Sequence, residues 1–237
     1  MLFISPPFGN YIGLPKTTRI YGSFTLKPRD GLLYHVITTL RYIPKYRGWV
    51  NKIGLRNKGI DWALKNVPEN HIISVAIMNA EEIEPLIEKI PYDRNIELNV
   101  SCPNVQKSGN IGGRLKGFLS PKRQWCIVKV SPYTNTQQLD EYYTQGFRQF
   151  HCCNTIPISE GGLSGLAIQP YTQKWIQYLK STYKDVECIA GGGIVHIDHI
   201  QLYRHIGADH FAISTGWFQP WYSLWVWFYL YQRTFEI

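Results

Sequence analysis

The chain has 237 residues, 44% of them hydrophobic, and it carries a formal net charge of +8. These values suit one large domain spanning residues 1–237, and ordinary glycine and proline usage argues against a disordered or fibrous protein. The positive charge favours anionic partners, but the basic residues are scattered without a run of five. We therefore expect a basic surface with one anion-binding pocket, and we do not expect a nucleic-acid partner, although that alternative stays open.

The cysteines and the apolar stretches indicate in which cellular compartment we expect the protein. No cysteine pair has zinc-site spacing, so we predict no metal site; four cysteines lie in apolar runs typical of buried, reduced thiols, namely Cys126, Cys152, Cys153 and Cys188. We recognise no secretory signal at the N-terminus, which favours the cytoplasm. No stretch reaches the roughly 18 apolar residues of a membrane span. We expect Trp217–Tyr231 to be a final helix on the protein body or a partner subunit, with interfacial membrane contact as the alternative.

Short apolar runs alternate along the chain with longer amphipathic segments. The runs predict eight strands, at Leu2–Ser5, Ile20–Thr25, Ile72–Ile77, Ile96–Ser101, Cys126–Ser131, Arg148–Cys153, Val186–Ala190 and His210–Ser214. Helical patterns lie between several of them, at Ala80–Ile90, Thr136–Gln145, Pro170–Tyr183 and His199–Ile206. This alternation favours an α/β fold with a parallel sheet, and eight repeats favour closure into a (β/α)8 TIM barrel. A doubly wound open sheet is the alternative, but its early G-x-G-x-x-G turn is absent from the sequence.

Two connections depart from a regular barrel. The segment Leu26–His71, between the second and third predicted strands, is unusually long but too apolar to be disordered. Because it follows a strand, it should lie over the C-terminal mouth of the barrel, where active sites are built. The first crossover, Gly13–Arg19, is too short for a full helix, so we expect a shortened N-terminal part.

Three glycine-rich segments follow predicted strands. Gly191–Ile194 and Ile213–Gly216 come after the seventh and eighth strands, the position at which barrels often bind phosphate. Glycine lets backbone N–H groups approach an anion, so we predict a phosphate site there, with plain turns as the alternative. Gly161–Gly165 is interpreted as a flexible loop near a ligand or as an ordinary turn.

Several polar side chains stand within predicted strands or at their ends. Lys129 lies in an apolar strand and needs an anion there, so we predict that it faces a ligand inside the barrel rather than snorkelling at an edge. Amides both donate and accept, which suits a planar heterocycle; four occur at strand ends or in mouth loops, namely Asn51, Asn99, Asn104 and Asn154. Cys102 follows a strand, and its thiol could take up a proton with help from Ser101 or Lys129, while a structural thiol is the alternative.

Taken in chain order, these motifs resemble those of the dihydroorotate dehydrogenase family. The matching segments are Asn51–Asn57, Glu97–Asn104, Val128–Pro132, Asn154–Thr155, Gly161–Gly165, Gly191–Ile194, Gly207–Ala208 and Ile213–Thr215, which together cover roughly Gly22–Gly216. The Asn-Val-Ser-Cys-Pro-Asn and Gly-Gly-Leu-Ser-Gly segments are specific, whereas the others would be weak alone. The resemblance implies a TIM barrel of the FMN-binding type, here with a shortened N-terminal part and shortened mouth loops.

The resemblance also implies a reaction in pyrimidine biosynthesis, the oxidation of dihydroorotate to orotate. Cys102 matches the catalytic base that takes the C5 proton while the C6 hydride passes to flavin N5, and Lys129 matches a lysine that contacts the flavin. The implied substrate-binding residues are Asn51, Asn99, Asn104, Asn154 and Thr155, and the implied FMN-binding residues are Lys129, Gly165, Gly192, Gly193, Ser214 and Thr215. A cysteine base indicates a soluble-class enzyme, whose oxidant could be fumarate or a partner flavoprotein that uses NAD, and a homodimer is possible.

Two segments depart from the family pattern. Gly22-Ser23 stands where the family usually has a Lys-Thr or Lys-Ser pair, so a lysine is missing unless Lys27 or Lys52 substitutes. Pro6–Ile12 is bulkier than the small residues that normally end the first strand. These departures keep open a non-catalytic barrel that serves as a binding or scaffold protein. The net charge and the Cys-Pro pair with Gly112-Gly113 downstream keep open a flavin reductase resembling tRNA-dihydrouridine synthase.

Overall fold

A computed structural model of the protein describes residues 1–100 and 112–233. The strands are β1 (Leu2–Ile4), β2 (Thr17–Phe24), β3 (Arg41–Ile43), β4 (Gly48–Asn51), β5 (Ile72–Ala76), β6 (Ile96–Asn99), β7 (Cys126–Lys129), β8 (Gln149–Cys152), β9 (Ile156–Ile158), β10 (Gly161–Gly165), β11 (Glu187–Gly191) and β12 (His210–Ile213). The α-helices are α1 (Leu32–Thr39), α2 (Ile60–Asn66), α3 (Ile83–Lys89), α4 (Thr136–Thr144), α5 (Gln169–Thr182), α6 (Ile197–His205) and α7 (Pro220–Arg233).

Eight parallel strands close a barrel in the order β1-β12-β11-β8-β7-β6-β5-β2. They coincide, within two residues or so at most ends, with the eight strands that the apolar runs predict, because each run is buried between the barrel interior and the outer helices. The predicted TIM barrel is therefore confirmed.

The barrel interior has an apolar lower part and a polar upper part. The lower part is a buried cluster of Phe3, Ile20, Ile72, Trp125, Ile127, Ile189 and Ala212. On two strands, the second residue after a member of this cluster is polar and buried: Ser74 follows Ile72, and Lys129 follows Ile127. Because side chains two residues apart on a strand share a face, these polar groups also point inward, closer to the C-terminal mouth.

The long excursion after β2 builds structure at the barrel mouth, as predicted. It contributes α1, β3, β4 and α2, and its strands join β9 and β10 in an antiparallel sheet of order β3-β4-β10-β9, here called the mouth sheet. The prediction that Gly161–Gly165 is a flexible loop or a turn was wrong, because this segment is strand β10. A Cβ atom on Gly161 would lie 2.3 Å from the carbonyl oxygen of Asn51, so glycine permits the close strand pairing.

The two ends of the chain are irregular. The first crossover holds one 3-10 turn at Phe8–Asn10 and no α-helix, as predicted. The final helix begins at Pro220 rather than Trp217, because Thr215–Phe218 forms a 3-10 turn and proline is suited to a first helical turn. The helix packs on the barrel body, and Trp227 Nε1 donates a hydrogen bond to the Pro15 carbonyl oxygen at 3.0 Å. Among the described residues, no helix has the length and apolar character to cross a bilayer.

The four described cysteines carry free thiols. Cys152, Cys153 and Cys188 are buried as predicted, whereas Cys126 is only partly buried. Burial raises the pKa of the Cys153 thiol to about 12. This thiol is therefore protonated at neutral pH, and reactive chemistry at it is not expected.

Candidate active site

A cavity opens at the C-terminal mouth of the barrel. Lys129 and His151 contribute to it from inside, and residues that follow the strands form its rim. These rim residues include Ser5, Pro6, Asn154, Thr155, Gly192, Gly193, Ser214, Thr215 and Gly216, and Ser164 of strand β10 lines the cavity beside them. The loops after β1, β8, β11 and β12 thus meet on one space, which is the arrangement expected of a barrel active site.

A buried carboxylate lies between the two ionisable residues of the cavity floor. Glu97 is fully buried, and its carboxylate lies 2.6 Å from His151 Nδ1 and 3.6 Å from Lys129 Nζ. The Lys129 side chain is only 11% exposed. Because an isolated buried charge is expensive, the carboxylate and the ammonium each stabilise the other inside the barrel.

Glu97, Lys129 and His151 are here called the floor cluster. Their environment determines the protonation states of Glu97 and His151. Burial alone would raise the pKa of Glu97, but the charge of Lys129 and the contacts with His151 and Ser74 outweigh it and hold that pKa at about 2. Burial and the charge of Lys129 lower the pKa of His151 below its ordinary value. At neutral pH the cluster therefore holds an anionic Glu97 and a neutral His151, whose Nδ1–H donates to the carboxylate.

A chain of hydrogen bonds connects Glu97 to the mouth amides. Ser74 Oγ donates to Glu97 at 2.8 Å and lies 2.8 Å from Ser23 Oγ; Asn99 Nδ2 donates to Ser23 Oγ at 3.1 Å, and Asn154 Nδ2 donates to Asn99 Oδ1 at 3.1 Å. An ionised carboxylate only accepts, so every donor in the chain points toward Glu97. The buried charge thereby fixes which way the two asparagine amides face.

The predicted phosphate loop after β11 has a constrained backbone. Gly192 and Gly193 have φ values of +103° and +71°, which side-chain-bearing residues rarely adopt. Their carbonyl oxygens accept hydrogen bonds from Tyr203 Oη and Gln169 Nε2, which lie in the outer helices α6 and α5. With the carbonyls held outward, the loop presents its remaining backbone to the cavity that it lines.

The loop after β12 faces the same cavity, with one difference from the prediction. Ser214 Oγ donates to the Pro6 carbonyl oxygen at 2.6 Å, so this hydroxyl proton is already used within the protein. Thr215 lines the cavity beside it, and Ser5 Oγ is buried without a hydrogen-bond partner among the described residues. A polar ligand group in the cavity would satisfy the Ser5 hydroxyl.

Two of the remaining predicted site residues, Asn51 and Gly165, do not line this cavity. Asn51 ends β4 in the mouth sheet, where its Oδ1 accepts from the Ile53 N–H at 3.3 Å. Gly165 ends β10, and a Cβ atom there would lie 2.9 Å from Gly48 Cα, so this glycine serves the packing of the mouth sheet. Thr155 donates its N–H to Asn154 Oδ1 at 2.8 Å. Cys102 and Asn104 lie outside the described residues.

Gly22, which the sequence resemblance aligns with a family lysine, occupies a position with no room for a side chain. Gly22 has φ +115°, and a Cβ atom there would lie 2.7 Å from the Ser74 carbonyl oxygen and 2.8 Å from the Phe24 ring. Its N–H donates to Asn10 Oδ1 at 2.9 Å. The backbone and the Phe24 ring pack closely around Gly22, so of this pair only Ser23 contributes a side chain to the hydrogen-bond chain.

Sequence reasoning assigned no role to Glu97, His151, Ser74 or Ser23. Lys129 was singled out because it is an ionisable residue inside an apolar strand. Glu97 and His151 also lie inside apolar strands, so the same criterion could have identified them. Their mutual contact depends on strand register, in which Glu97 lies beside Ile127 and Lys129 lies beside His151.

Comparison with known proteins agrees with this arrangement. The family model described as dihydroorotate dehydrogenase matches residues 17–146. Among curated proteins, the chain is 25% identical to the catalytic subunit of dihydroorotate dehydrogenase B (NAD(+)) from Thermotoga petrophila, covering 92% of this chain and 94% of that protein. It is 28% identical to the corresponding subunit from Staphylococcus carnosus, covering 73% and 67%.

A solved structure shows the same fold. The crystal structure of DHODH from Eimeria tenella in complex with ferulenol superposes with a TM-score of 0.67 at 15% identity, covering 91% of this chain and 75% of that one. The family match spans more than half of the chain. With the closed barrel and the cavity at its mouth, it shows that the chain belongs to the dihydroorotate dehydrogenase family of flavin-dependent oxidoreductases.

Proposed function

We propose that this chain binds FMN and oxidises dihydroorotate to orotate in pyrimidine biosynthesis. The observation that carries the proposal is the convergence of Lys129, Asn154, Thr155 and the loops after β11 and β12 on one cavity. These residues match the family motifs in chain order, and Asn99 joins them through its hydrogen bond with Asn154.

The residues present fit a flavin mononucleotide. The loops with Gly192, Gly193, Ser214 and Thr215 suit the phosphate and ribityl end, and Ser214 would contribute through its backbone because its hydroxyl is occupied. Lys129 would contact the ring system, and the unsatisfied Ser5 hydroxyl offers a further polar contact. When bound, FMN supplies the group that accepts the C6 hydride of dihydroorotate.

The chain's own residues would bind the substrate and move its proton. Asn99 and Asn154, with Asn51 and Asn104, would hold the pyrimidine ring and its carboxylate. The fixed donor direction of the Asn99 and Asn154 amides means that these groups are oriented before the substrate arrives. Cys102 would take the C5 proton as the general base, a role that typically contributes a factor of about 10² to 10⁴.

Lys129 would place a positive charge where negative charge develops during the reaction. Glu97 compensates this ammonium in the resting protein, and His151 holds the carboxylate in position from the other side. Since Gly22 provides no second cation, Lys129 would carry this electrostatic role without the lysine that the family usually supplies from β2.

The visible spectrum of the purified protein tests the proposal. We expect a yellow protein, or one that turns yellow on reconstitution with FMN, and anaerobic dihydroorotate should bleach it. A colourless protein that FMN cannot reconstitute would favour a non-catalytic barrel. A yellow protein that dihydroorotate leaves unchanged would point to another substrate, and salt-sensitive tRNA binding would then favour the dihydrouridine synthase-like alternative.

We further propose that the reduced protein passes its electrons to a partner subunit in the cytoplasm. The curated relatives are named as catalytic subunits of NAD(+)-type enzymes, which supports this proposal. The isolated chain, once reduced by dihydroorotate, should then not be reoxidised by NAD+ alone. Rapid reoxidation by fumarate would instead support a self-sufficient enzyme, for which a homodimer is the alternative assembly.

A further inference from the structure

The net charge of the protein is concentrated in one segment. Residues 26–59, which we call the basic mouth segment, contain eight lysines and arginines and one aspartate, for a net charge of +7. The other residues of the chain contain 17 basic and 16 acidic side chains. Almost the whole formal charge of +8 therefore lies in the excursion that covers the barrel mouth.

These charges are available to a partner. Six of the eight basic side chains belong to exposed residues, namely Lys27, Arg41, Lys45, Arg47, Lys52 and Lys58. Within residues 1–100 and 112–233, none of the eight forms an ion pair. The neighbouring Glu160, in the β9–β10 hairpin, has a lowered pKa because of its hydrogen bond with Ser159 and the weaker influence of Arg41 and Lys45. One carboxylate does not neutralise the segment.

The same segment carries an exposed apolar helix. Helix α1 contains no Lys, Arg, Asp or Glu and no buried residue. Leu33 and Ile37 are each 73% exposed and Tyr34 is 67% exposed. Residues 33 and 37 lie one turn apart on one helix face, and Arg41 begins strand β3 just after the helix ends at Thr39. The structure thus presents aliphatic side chains to solvent beside free basic groups.

A second exposed apolar surface lies on helix α7. Helix α7 exposes Trp221, Trp225 and Phe228, but residues 219–232 contain no charged side chain. Exposure alone is therefore not specific to the mouth, whereas apolar exposure combined with unpaired basic charge occurs in α1 and its flanks. Apolar side chains that insert and basic groups that surround them are the features of proteins that bind anionic lipid surfaces.

We propose that the basic mouth segment docks the protein on an anionic lipid bilayer. Leu33, Tyr34 and Ile37 of α1 enter the interfacial region, and the surrounding lysines and arginines contact the headgroups. A lipid interface buries the aliphatic side chains as well as pairing the basic groups, whereas phosphate contacts alone would leave Leu33 and Ile37 in water, which favours a lipid occupant. The docking is tested independently of the proposed reaction, because none of the residues substituted below is assigned to substrate or FMN.

Docking in this way would bring the cavity close to the membrane. Strand β4 of the basic mouth segment pairs with β10, in the register Gly162 with Asn51. Trp49 of β4 also stacks on Phe218, with ring centroids 4.0 Å apart, in the turn that follows β12. The surface that meets lipid is thus fixed to two elements that border the cavity.

Sedimentation with lipid vesicles tests the proposal on the full chain. We expect binding to phosphatidylcholine vesicles that contain about 30% phosphatidylserine, and at least about tenfold weaker binding to pure phosphatidylcholine or in high salt. Leu33→Ser with Ile37→Ser should abolish sedimentation. Lys45→Glu with Arg47→Glu should weaken binding by at least roughly fivefold for each residue changed.

Matched variants at other exposed positions serve as controls. Trp225→Ser with Phe228→Ser removes exposed apolar groups from α7, and Lys122→Glu with Lys184→Glu removes exposed charges outside the segment. Both should bind lipid nearly as the wild type does, and thermal melting checks that every variant is folded. The proposal is overturned if the wild type does not sediment, if both lipids bind equally, if the α7 variant loses binding while the α1 variant keeps it, or if tRNA displaces the vesicles.

Discussion

The barrel floor and the basic mouth segment differ in how their charged side chains are placed: those of the floor are buried and paired, and most of those in the mouth segment are exposed. On the floor, Glu97 is fully buried and has Lys129 and His151 on either side of it. In the mouth segment, Lys45 and Arg47 are exposed and form no ion pair with a described residue. Buried charge is stable only with partners, so the floor groups are bound to each other and to the fold. Exposed charge needs no partner, so the mouth groups remain available for binding.

The largest effect should follow loss of the buried carboxylate. Glu97→Gln leaves the Lys129 ammonium without its anion, and we expect the free energy of unfolding to fall by about 3–5 kcal/mol in urea titration. The double variant with Lys129→Met should recover much of this loss. As a surface control, Glu84→Gln breaks the exposed pair with Arg114 and should leave the urea unfolding midpoint nearly unchanged. Equal effects at Glu97 and Glu84 would refute the distinction between the buried and the exposed charges.

Placing a lysine at position 22 should also destabilise the protein. Gly22→Lys forces a side chain onto φ +115° and against the Ser74 carbonyl, and we expect a loss of about 2 kcal/mol or more. The matched substitution Gly113→Lys, where a Cβ atom meets nothing within 4 Å, should have little effect on the melting temperature. A Gly22→Lys variant as stable as the wild type would show that the backbone around Gly22 can shift to accommodate a side chain.

The floor should make stability sensitive to acid. The folded-state pKa of Glu97 is about 2 against an ordinary value of 4.5, and that of His151 lies below its ordinary 6.5. At acidic pH the unfolded chain therefore binds more protons at these two residues than the folded protein does, and the free energy of unfolding falls. The contribution of His151 is lost as the pH falls below 6.5, and that of Glu97 is lost as the pH falls from 4.5 toward 2.

Urea unfolding between about pH 7.5 and 5.5 isolates the histidine contribution, since one proton accounts for at most about 1.4 kcal/mol per pH unit. His71, His199 and His210 also have lowered pKa values and add to the wild-type slope. His151→Gln should reduce that slope by up to one proton. An unchanged slope would mean that folding leaves the pKa of His151 at its ordinary value, and a steeper slope would mean that folding raises that pKa.

The smallest effect on stability is expected in the basic mouth segment. Leu33→Ser with Ile37→Ser should change the free energy of unfolding by no more than about 0.5 kcal/mol for each residue, because both side chains are 73% exposed. A loss of several kcal/mol would indicate that α1 packs against the protein rather than presenting a free surface.

The fold was largely predictable because burial leaves a direct trace in sequence. Each barrel strand is a short apolar run, and the family motifs follow the strands in order, so the barrel and the convergence of Lys129 with the late glycine loops could be predicted. Gly161–Gly165 was mistaken for a loop, because its partner β4 lies more than a hundred residues earlier and glycine disfavours strands locally.

The contacts of the floor cluster could not be predicted either, because they also depend on how distant segments pair. Contact between Glu97, Lys129 and His151 depends on the register of three strands, which no local pattern encodes. Likewise, the consequence of Gly22 depends on the Ser74 carbonyl and the Phe24 ring, which approach it only in the closed barrel.

The central proposal is that this barrel oxidises dihydroorotate with Cys102 as the base and with glycine at position 22, and anaerobic stopped-flow reduction tests it most directly. Wild-type protein, Cys102→Ala and the control Cys126→Ala would each be loaded with FMN and mixed with dihydroorotate at neutral pH. We predict that all three bind FMN, that the wild type and Cys126→Ala are reduced at similar rates, and that Cys102→Ala is reduced at least about 100-fold more slowly. Reduction of Cys102→Ala at the wild-type rate, or no reduction of the wild type, would contradict the account.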